Sequence, residues 1–318
     1  MNLLDWLREP WIGLEMDGPW IVLMSFFVCL SCGWVGCFLV LRRMSLVGDA
    51  ISHSVLPGLV IGFLFVKTLD SVWLLVGAAL AGLLSTLIIE WIHKLSRVKQ
   101  DAAIGISFTT LFALGVLLIS LYTRNADLDQ SCVLLGRLEF LPLSSKVGLG
   151  GLSVPRPLLT VIGVTVLELL AILAFYKVLL VCSFDSCLGI TLRFGPARVH
   201  YALMMLTSVV VVASFEAVGA ILVIALLILP GATAFLLVKR LPAMLFCVVP
   251  ISAFSALGGW YLAFASGCSL GPAVVIAAAL AFVIAWIFGP SGGVLPRYLA
   301  RLRHRQHSTG TVEQSKVK

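Results

Sequence analysis

Nine long apolar runs, each close to the length of a membrane-spanning helix, limit the possible folds of this 318-residue sequence more than any other feature. Hydrophobic residues make up 60% of the chain and charged residues only 12%, whereas soluble globular proteins carry about 25% charged residues. A span needs about 20 apolar residues, so the runs leave room for only short loops and modest termini. They lie at residues 20–41, 50–66, 71–92, 102–122, 158–182, 198–214, 217–238, 243–265 and 271–289.

The runs predict an all-α polytopic membrane bundle of about nine spans over residues 20–290, between an N-terminal segment (1–19) and a basic tail (291–318). Residues 1–19 carry acidic side chains where a secretory signal would be basic, so we expect them to be retained. Most cysteines lie inside apolar runs, so we expect Cys29-x-x-Cys32 to serve packing and no disulfide framework to form.

The distribution of basic residues predicts the orientation of the chain. Lysines and arginines cluster at 42–43, 94–99, 193–198, 239–240 and 297–318, and these segments all fall on one side of a nine-span bundle. Basic loops stay in the cytoplasm, so the N-terminus is expected outside and the C-terminus inside. The net charge of +7 is explained by this topology, and no nucleic-acid partner is predicted.

Asp49 and His53 form the most informative polar pair in an apolar run. Four residues apart, they lie on one face of a helix and can share a ligand. A charge at bilayer depth costs about 2.5 kcal/mol or more, so its presence favours function. A carboxylate with an imidazole suits Mn²⁺, Zn²⁺ or Fe²⁺ better than Mg²⁺ or Ca²⁺. The alternative is that the two side chains pair with each other or cap a short helix.

Four further residues are candidates for a pathway through the bundle. Pro57 loosens its helix, and the Leu-Pro-Gly around it recurs at Pro230, as in transporters with broken helices in both halves. Glu168 either lines a cation path or sits protonated in the bundle. Glu216 either gathers cations at the outer mouth or is a solvated residue in a turn at 214–219.

Two loops are candidate contact surfaces for other proteins. The outer segment 123–157 is either a docking surface for an external partner or a plain connector. The inner segment 183–198 is too polar to insert and is expected to contain a short amphipathic helix. The chain has no Gly-x-x-x-x-Gly-Lys-Ser/Thr loop, so an ATP-driven motor of that type would be another chain.

Four segments occur in order along the chain. They are Arg42-Arg-Met-Ser-Leu-Val-Gly-Asp-Ala-Ile-Ser-His-Ser-Val-Leu-Pro-Gly58, Asp101-Ala-Ala-Ile-Gly-Ile-Ser-Phe-Thr-Thr-Leu-Phe-Ala-Leu-Gly115, Ser183-Phe-Asp185 with Gly195-Pro196, and Val218-Gly-Ala-Ile-Leu-Val-Ile-Ala-Leu-Leu-Ile-Leu-Pro230. With these segments the chain resembles the permease subunits of bacterial ABC importers for manganese, zinc and iron over most of residues 20–290. Gly231 departs from the family pattern, which has alanine there, and 123–157 matches only loosely.

The resemblance implies a fold similar to the vitamin-B12-importer (type II) ABC permeases and a place in the bacterial inner membrane. It implies a second permease subunit, two cytoplasmic ATPase subunits and an external metal-binding protein as partners, besides membrane lipid. Asp49 and His53 become the metal-contacting pair, with no permanently bound cofactor. The segment 183–197 becomes the contact with the ATPase, through Ser183, Phe184, Asp185, Gly195 and Pro196.

The sequence therefore predicts ATP-driven import of a divalent metal, in which this chain forms half of the pathway and performs no covalent chemistry. A secondary carrier driven by an ion gradient, with Glu168 as a proton relay, is the alternative. A third class is an intramembrane hydrolase that pairs Ser52 or Ser54 with His53, although neighbouring residues on a helix point to different faces.

Overall fold

The chain folds almost entirely into helices that follow its apolar runs. The computed structural model describes residues 17–66, 72–122, 138, 141, 146–149, 152–296 and 298. The helices are α1 (Asp17–Leu41), α2 (Ser45–Ser54), α3 (Leu56–Val66), α4 (Val72–Leu95), α5 (Gln100–Tyr122), α6 (Arg156–Ala174), α7 (Tyr176–Phe184), α8 (Ser186–Thr191), α9 (Pro196–Val218), α10 (Ala220–Leu237), α11 (Leu241–Ser266) and α12 (Leu270–Phe288).

Six of these helices are long and apolar enough to cross a membrane in the part of the chain that is described. A helix satisfies its own backbone hydrogen bonds, which is what hydrocarbon surroundings require. The stretches 47–62 and 222–237 are apolar but shorter, and residues 72–92 of the predicted run at 71–92 lie within α4. The six helices cover residues 18–41, 101–122, 156–174, 196–215, 241–266 and 270–288.

Helix α1 lies at the centre of the bundle, in contact with α6, α9, α10 and α11. Its side chains are buried around much of its circumference, including Met24 and Phe38, and the free thiols of Cys29 and Cys32 are fully enclosed. The predicted packing role of these two cysteines is confirmed. The closest approach is to α10, where a Cβ on Gly36 would overlap the carbonyl oxygen of Leu227.

Of the three predicted breaks in the helices, the one before Pro57 agrees with the structure and the other two do not. The chain bends at Val55, before Pro57, as expected, but Pro230 lies inside the continuous helix α10. The predicted turn at 214–219 is wrong, because α9 runs to Val218 and only Gly219, with φ of 84°, departs from helix. A single proline is tolerated within a helix buried in protein, so the repeated Leu-Pro-Gly does not mark two equivalent breaks.

A small β-hairpin in the outer segment departs from the all-α prediction. Strands β1 (Lys146–Leu149) and β2 (Leu152–Pro155) pair antiparallel, with Lys146 opposite Pro155 and Leu149 opposite Leu152. Of the part of the outer segment before the hairpin, residues 123–145, the structure describes only Leu138 and Leu141, and both are buried.

Candidate functional site

The short helix α2 presents its apolar face to the bundle and leaves its polar face partly exposed. Val47, Ala50 and Ile51 are buried against neighbouring helices, and α2 contacts α4, α5, α9 and α10. Gly48 allows the approach to α10, since a Cβ there would overlap the Leu227 side chain. The helix that carries the predicted pair is therefore held from several sides.

Asp49 and His53 meet on the open face of α2. The His53 Nε2 atom lies 3.3 Å from Asp49 Oδ1, and their side chains are 25% and 36% exposed. The pair is thus close enough to bind one ion, and both side chains are partly exposed. Within the described residues, no cluster of three or more His, Cys, Asp or Glu side chains is arranged to hold a metal. Further ligands would have to be water, backbone oxygen or another subunit.

Two aromatic rings of α5 enclose the imidazole of His53. The ring of Phe112 meets it edge-on at a centroid distance of 5.5 Å, and Phe108 lies 5.8 Å away, tilted by 33°. Rings in such arrangements attract each other and restrict rotation of the imidazole. The segment 101–115, which carries the family resemblance, therefore forms a wall of the candidate metal site. The sequence of this segment does not by itself indicate that Phe108 and Phe112 belong to the site.

Pro57 acts on the same site through the backbone. Proline has no N–H, so it cannot donate to the carbonyl of His53, four residues earlier, as a helical residue would. Pro57 is buried, and a Cβ on Gly115 of α5 would lie 3.0 Å from its ring. The proline thus breaks the helix beside the pair, and the carbonyl oxygen of His53 is a candidate oxygen ligand.

We expect Phe112→Leu to weaken metal binding about tenfold, because the loss of an aromatic contact of about 1 kcal/mol also frees the imidazole to rotate. Isothermal titration of the purified complex with Mn²⁺ and Zn²⁺ measures the effect. Leu111→Ala, one position before Phe112 in α5, is the control. Equal affinities for Phe112→Leu and the wild type would contradict a role for the ring.

The other predicted pathway residues lie apart from this pair. Glu168 is fully buried, and its Oε2 accepts a hydrogen bond of 2.6 Å from Ser31 Oγ on α1. Pro230 is buried against α1, where a Cβ on Gly33 would lie 3.0 Å from the proline Cβ. Glu216 belongs to α9, but its side chain lies outside the described part of the molecule. The structure thus brings Pro57, Asp49 and His53 together.

The inner segment 183–197 folds into a capped elbow, and the predicted short helix is present as α8. Asp185 caps it, since its Oδ1 accepts hydrogen bonds from the N–H groups of Cys187 and Leu188 at 2.9 and 3.0 Å. At its end, Arg193 is left-handed with φ of 60°, and the Phe194 N–H bonds to the carbonyl of Gly189. This closure is a Schellman motif, which fixes the exit direction of the chain.

A second left-handed residue follows in the elbow and starts α9. Gly195 has φ of 65°, a conformation that favours glycine, and Pro196 begins the helix. The tip of the elbow is apolar and exposed. Its exposed side chains are Phe184, Leu188, Ile190 and Leu192. A rigid apolar projection of this kind is suited to a protein contact.

The hydroxyls of Ser52 and Ser54 are used by their own helix. Ser52 Oγ donates to the Gly48 carbonyl at 2.9 Å, and Ser54 Oγ donates to the Ile51 carbonyl at 3.1 Å. Both side chains are buried. Neither is placed as a nucleophile activated by His53, so the hydrolase alternative receives no support.

A mainly helical bundle with six helices able to cross a membrane, a partly exposed carboxylate–imidazole pair and an apolar elbow is what a membrane permease is expected to have. The chain belongs to the ABC 3 transport family, whose model matches residues 19–289. This confirms the resemblance to permeases of manganese, zinc and iron ABC importers, and the chain is a multi-pass membrane protein.

Known relatives match the chain over nearly its whole length. It is 37% identical over 291 residues to the manganese transport system membrane protein MntD of Bacillus subtilis, which covers 92% of this chain and 98% of MntD. It is 40% identical to the zinc transport system membrane protein TroD of Treponema pallidum, over 88% of this chain and 76% of TroD. The solved structure of PsaBC from Streptococcus pneumoniae in complex with Fab has a chain with 33% identity and a TM-score of 0.77, over 92% of this chain and 99% of that one.

Proposed function

We propose that this chain is the membrane-spanning permease subunit of an ABC importer for a divalent transition-metal cation, Mn²⁺, Zn²⁺ or Fe²⁺. It forms half of the translocation pathway, crosses the bacterial inner membrane nine times with its N-terminus outside and its C-terminus inside, and adopts the type II permease arrangement. The Asp49–His53 pair carries this proposal, because it is a borderline ligand set at membrane depth that remains open to an arriving ion.

The open face of the pair supports assembly with a second permease subunit. Two side chains fill only part of the shell of a transition-metal ion, and both remain partly exposed in this chain. A second subunit, identical or related, supplies the opposite wall, and water and the His53 carbonyl complete the shell. An incomplete shell suits an ion that must leave again. The metal is the cargo of this site and not a resident cofactor.

The elbow at 183–197 supports a contact with a cytoplasmic ATPase subunit. Its capped ends make it stiff, and its exposed tip offers apolar area that a partner would bury. The ATPase binds ATP, two such subunits pull on two permease elbows, and an external metal-binding protein supplies the ion. No observation favours a secondary carrier driven by an ion gradient.

Reconstitution tests the proposal directly. In proteoliposomes that contain the permease and its co-purified ATPase, we expect manganese or zinc uptake to require ATP and to persist when ionophores collapse ion gradients. Uptake that needs no ATPase subunit and stops with an ionophore would instead establish a secondary carrier.

We expect Ile190→Ser to reduce the amount of ATPase that co-purifies with the permease about tenfold. Ile190 is 66% exposed at the tip of the elbow, and the burial of such a side chain contributes about 1.5–3 kcal/mol to an interface. Affinity purification from detergent and quantitative immunoblotting measure the ratio. Thr191→Ser, one residue further on, is the control, and wild-type recovery of the ATPase with Ile190→Ser would contradict the assigned contact.

A further inference from the structure

A polar contact joins the elbow to the segment that carries the metal pair. Arg42 follows directly after α1, and its Nε donates a hydrogen bond of 3.2 Å to Ser183 Oγ at the end of α7. The two residues are 141 positions apart in the chain. Ser183 is the first residue of the elbow, whereas Arg42 stands three residues before α2. The contact therefore connects the proposed ATPase contact with the helix of Asp49 and His53.

The link between Arg42 and α2 is short and stiff. The N–H of Arg42 bonds to the Phe38 carbonyl, and the N–H of Met44 bonds back to the Leu39 carbonyl at 2.9 Å, which closes a Schellman motif around left-handed Arg43. The Val47 N–H then bonds to the Met44 carbonyl at 3.1 Å. Because each residue of this connection is held by a backbone hydrogen bond, a displacement of Arg42 is passed to the start of α2.

One donor of the Arg42 side chain has no partner in this arrangement. Its Nη2 atom is buried without a hydrogen-bond partner, whereas its Nε is used by Ser183. On the neighbouring helices, Glu90 Oε2 lies 3.7 Å from His200 Nε2. The guanidinium therefore keeps a free donor while it holds Ser183.

The charge of the Glu90 carboxylate is balanced by a lysine. Lys94 Nζ lies 2.7 Å from Glu90 Oε1, so that oxygen is already paired. Burial lowers the pKa of the Arg42 guanidinium below its usual range, although an arginine keeps its charge at neutral pH. A buried charge with an unused donor is costly, which favours a side chain that gains a partner in another state of the molecule.

We infer that Arg42 is a positioning residue that couples the elbow to the metal pair: its hydrogen bond to Ser183 ties the start of α2 to the elbow, so that a displacement of the elbow moves α2. The inference rests on the proposed function and adds the route by which ATPase motion reaches Asp49 and His53. Such a link needs one element with two arrangements that both ends can bias. The element is the guanidinium of Arg42, whose Nη2 donor is free to take a partner once the elbow moves.

The test measures how many ions are moved per ATP hydrolysed in proteoliposomes that contain the full complex. We expect Arg42→Lys and Ser183→Ala to move about tenfold fewer ions per ATP hydrolysed than the wild type, since a hydrogen bond to a charged group is lost. Ser183→Thr retains the hydroxyl and should restore the ratio. Arg43→Lys, next to Arg42 but exposed, should leave the ratio unchanged.

Wild-type ratios in both Arg42→Lys and Ser183→Ala would overturn the inference, and so would a parallel fall of hydrolysis and uptake. Recovery of the intact complex after detergent extraction shows which variants have folded, and Ser183→Ala, which removes one partly buried hydroxyl, supplies the answer where Arg42→Lys does not assemble. If the wild-type complex transports no metal, the proposed function fails. If it transports metal and the variants have the wild-type ratio of ions to ATP, only the role of Arg42 fails.

Discussion

Replacement of Asp49 or His53 by alanine is expected to abolish ATP-driven metal uptake without preventing assembly of the complex. Loss of a supporting contact to a metal ligand alone lowers affinity about 10- to 100-fold, so the loss of a ligand should lower uptake at least about 100-fold. The fold should survive, because a partly exposed ion pair contributes only about 0–1 kcal/mol. Uptake of radioactive manganese or zinc into proteoliposomes measures the effect, and size-exclusion chromatography measures assembly.

Asp101→Ala and His93→Ala are the matched controls for this prediction. Both side chains are exposed, Asp101 in the first turn of α5 and His93 in the last turn of α4. Each removes the same chemical group as its counterpart but leaves the pair intact, so uptake should remain within about twofold of the wild type. Undiminished uptake by Asp49→Ala would remove the pair from the transport mechanism.

Gly36→Ala is expected to destabilise the bundle. The added Cβ would overlap the Leu227 carbonyl oxygen of α10, and a backbone atom cannot move aside as a side-chain tip can. Alanine favours helix over glycine by about 1 kcal/mol, but overpacking of this kind costs about 3 kcal/mol or more. The clash therefore outweighs the gain in helix propensity. We expect a fall in Tm of at least about 3 °C, measured by thermal unfolding in detergent.

Gly163→Ala separates this packing effect from helix propensity. Gly163 lies in the middle of α6, and a Cβ there meets nothing within 4 Å. The same substitution should therefore leave Tm unchanged or raise it slightly. If Gly36→Ala and Gly163→Ala had the same Tm, close contact between α1 and α10 would not be required by the fold.

Local features of the fold could be predicted from the sequence. Apolar runs fix where helices form in a membrane, since the backbone has no other way to satisfy its polar groups. The bend before Pro57 follows from the missing N–H of proline. The short helix at 186–191 follows from the capping Asp185 and the alternation of apolar and polar residues. The spacing of Asp49 and His53 placed both on one helical face, and the structure has them in contact.

Contacts between helices could not be predicted in the same way. Helices such as α1 and α11 are apolar on all sides, so their sequences do not show which face meets which neighbour. Nothing in the spacing of Phe108 and Phe112 indicates that they enclose His53, and the bond between Arg42 and Ser183 joins distant parts of the chain. The hairpin at 146–155 could not be predicted from the sequence, because each of its strands has only four residues.

The exposed tip of the elbow also bears on how the protein is made. Leu188 and Leu192 are about half exposed and Ile190 is 66% exposed, so in the proposed assembly a copy of this chain without its ATPase presents an uncovered apolar surface. Such an unassembled subunit is open to aggregation and to proteases that recognise exposed apolar segments. The proposed contact therefore requires the cell to balance the synthesis of permease and ATPase or to remove the excess permease.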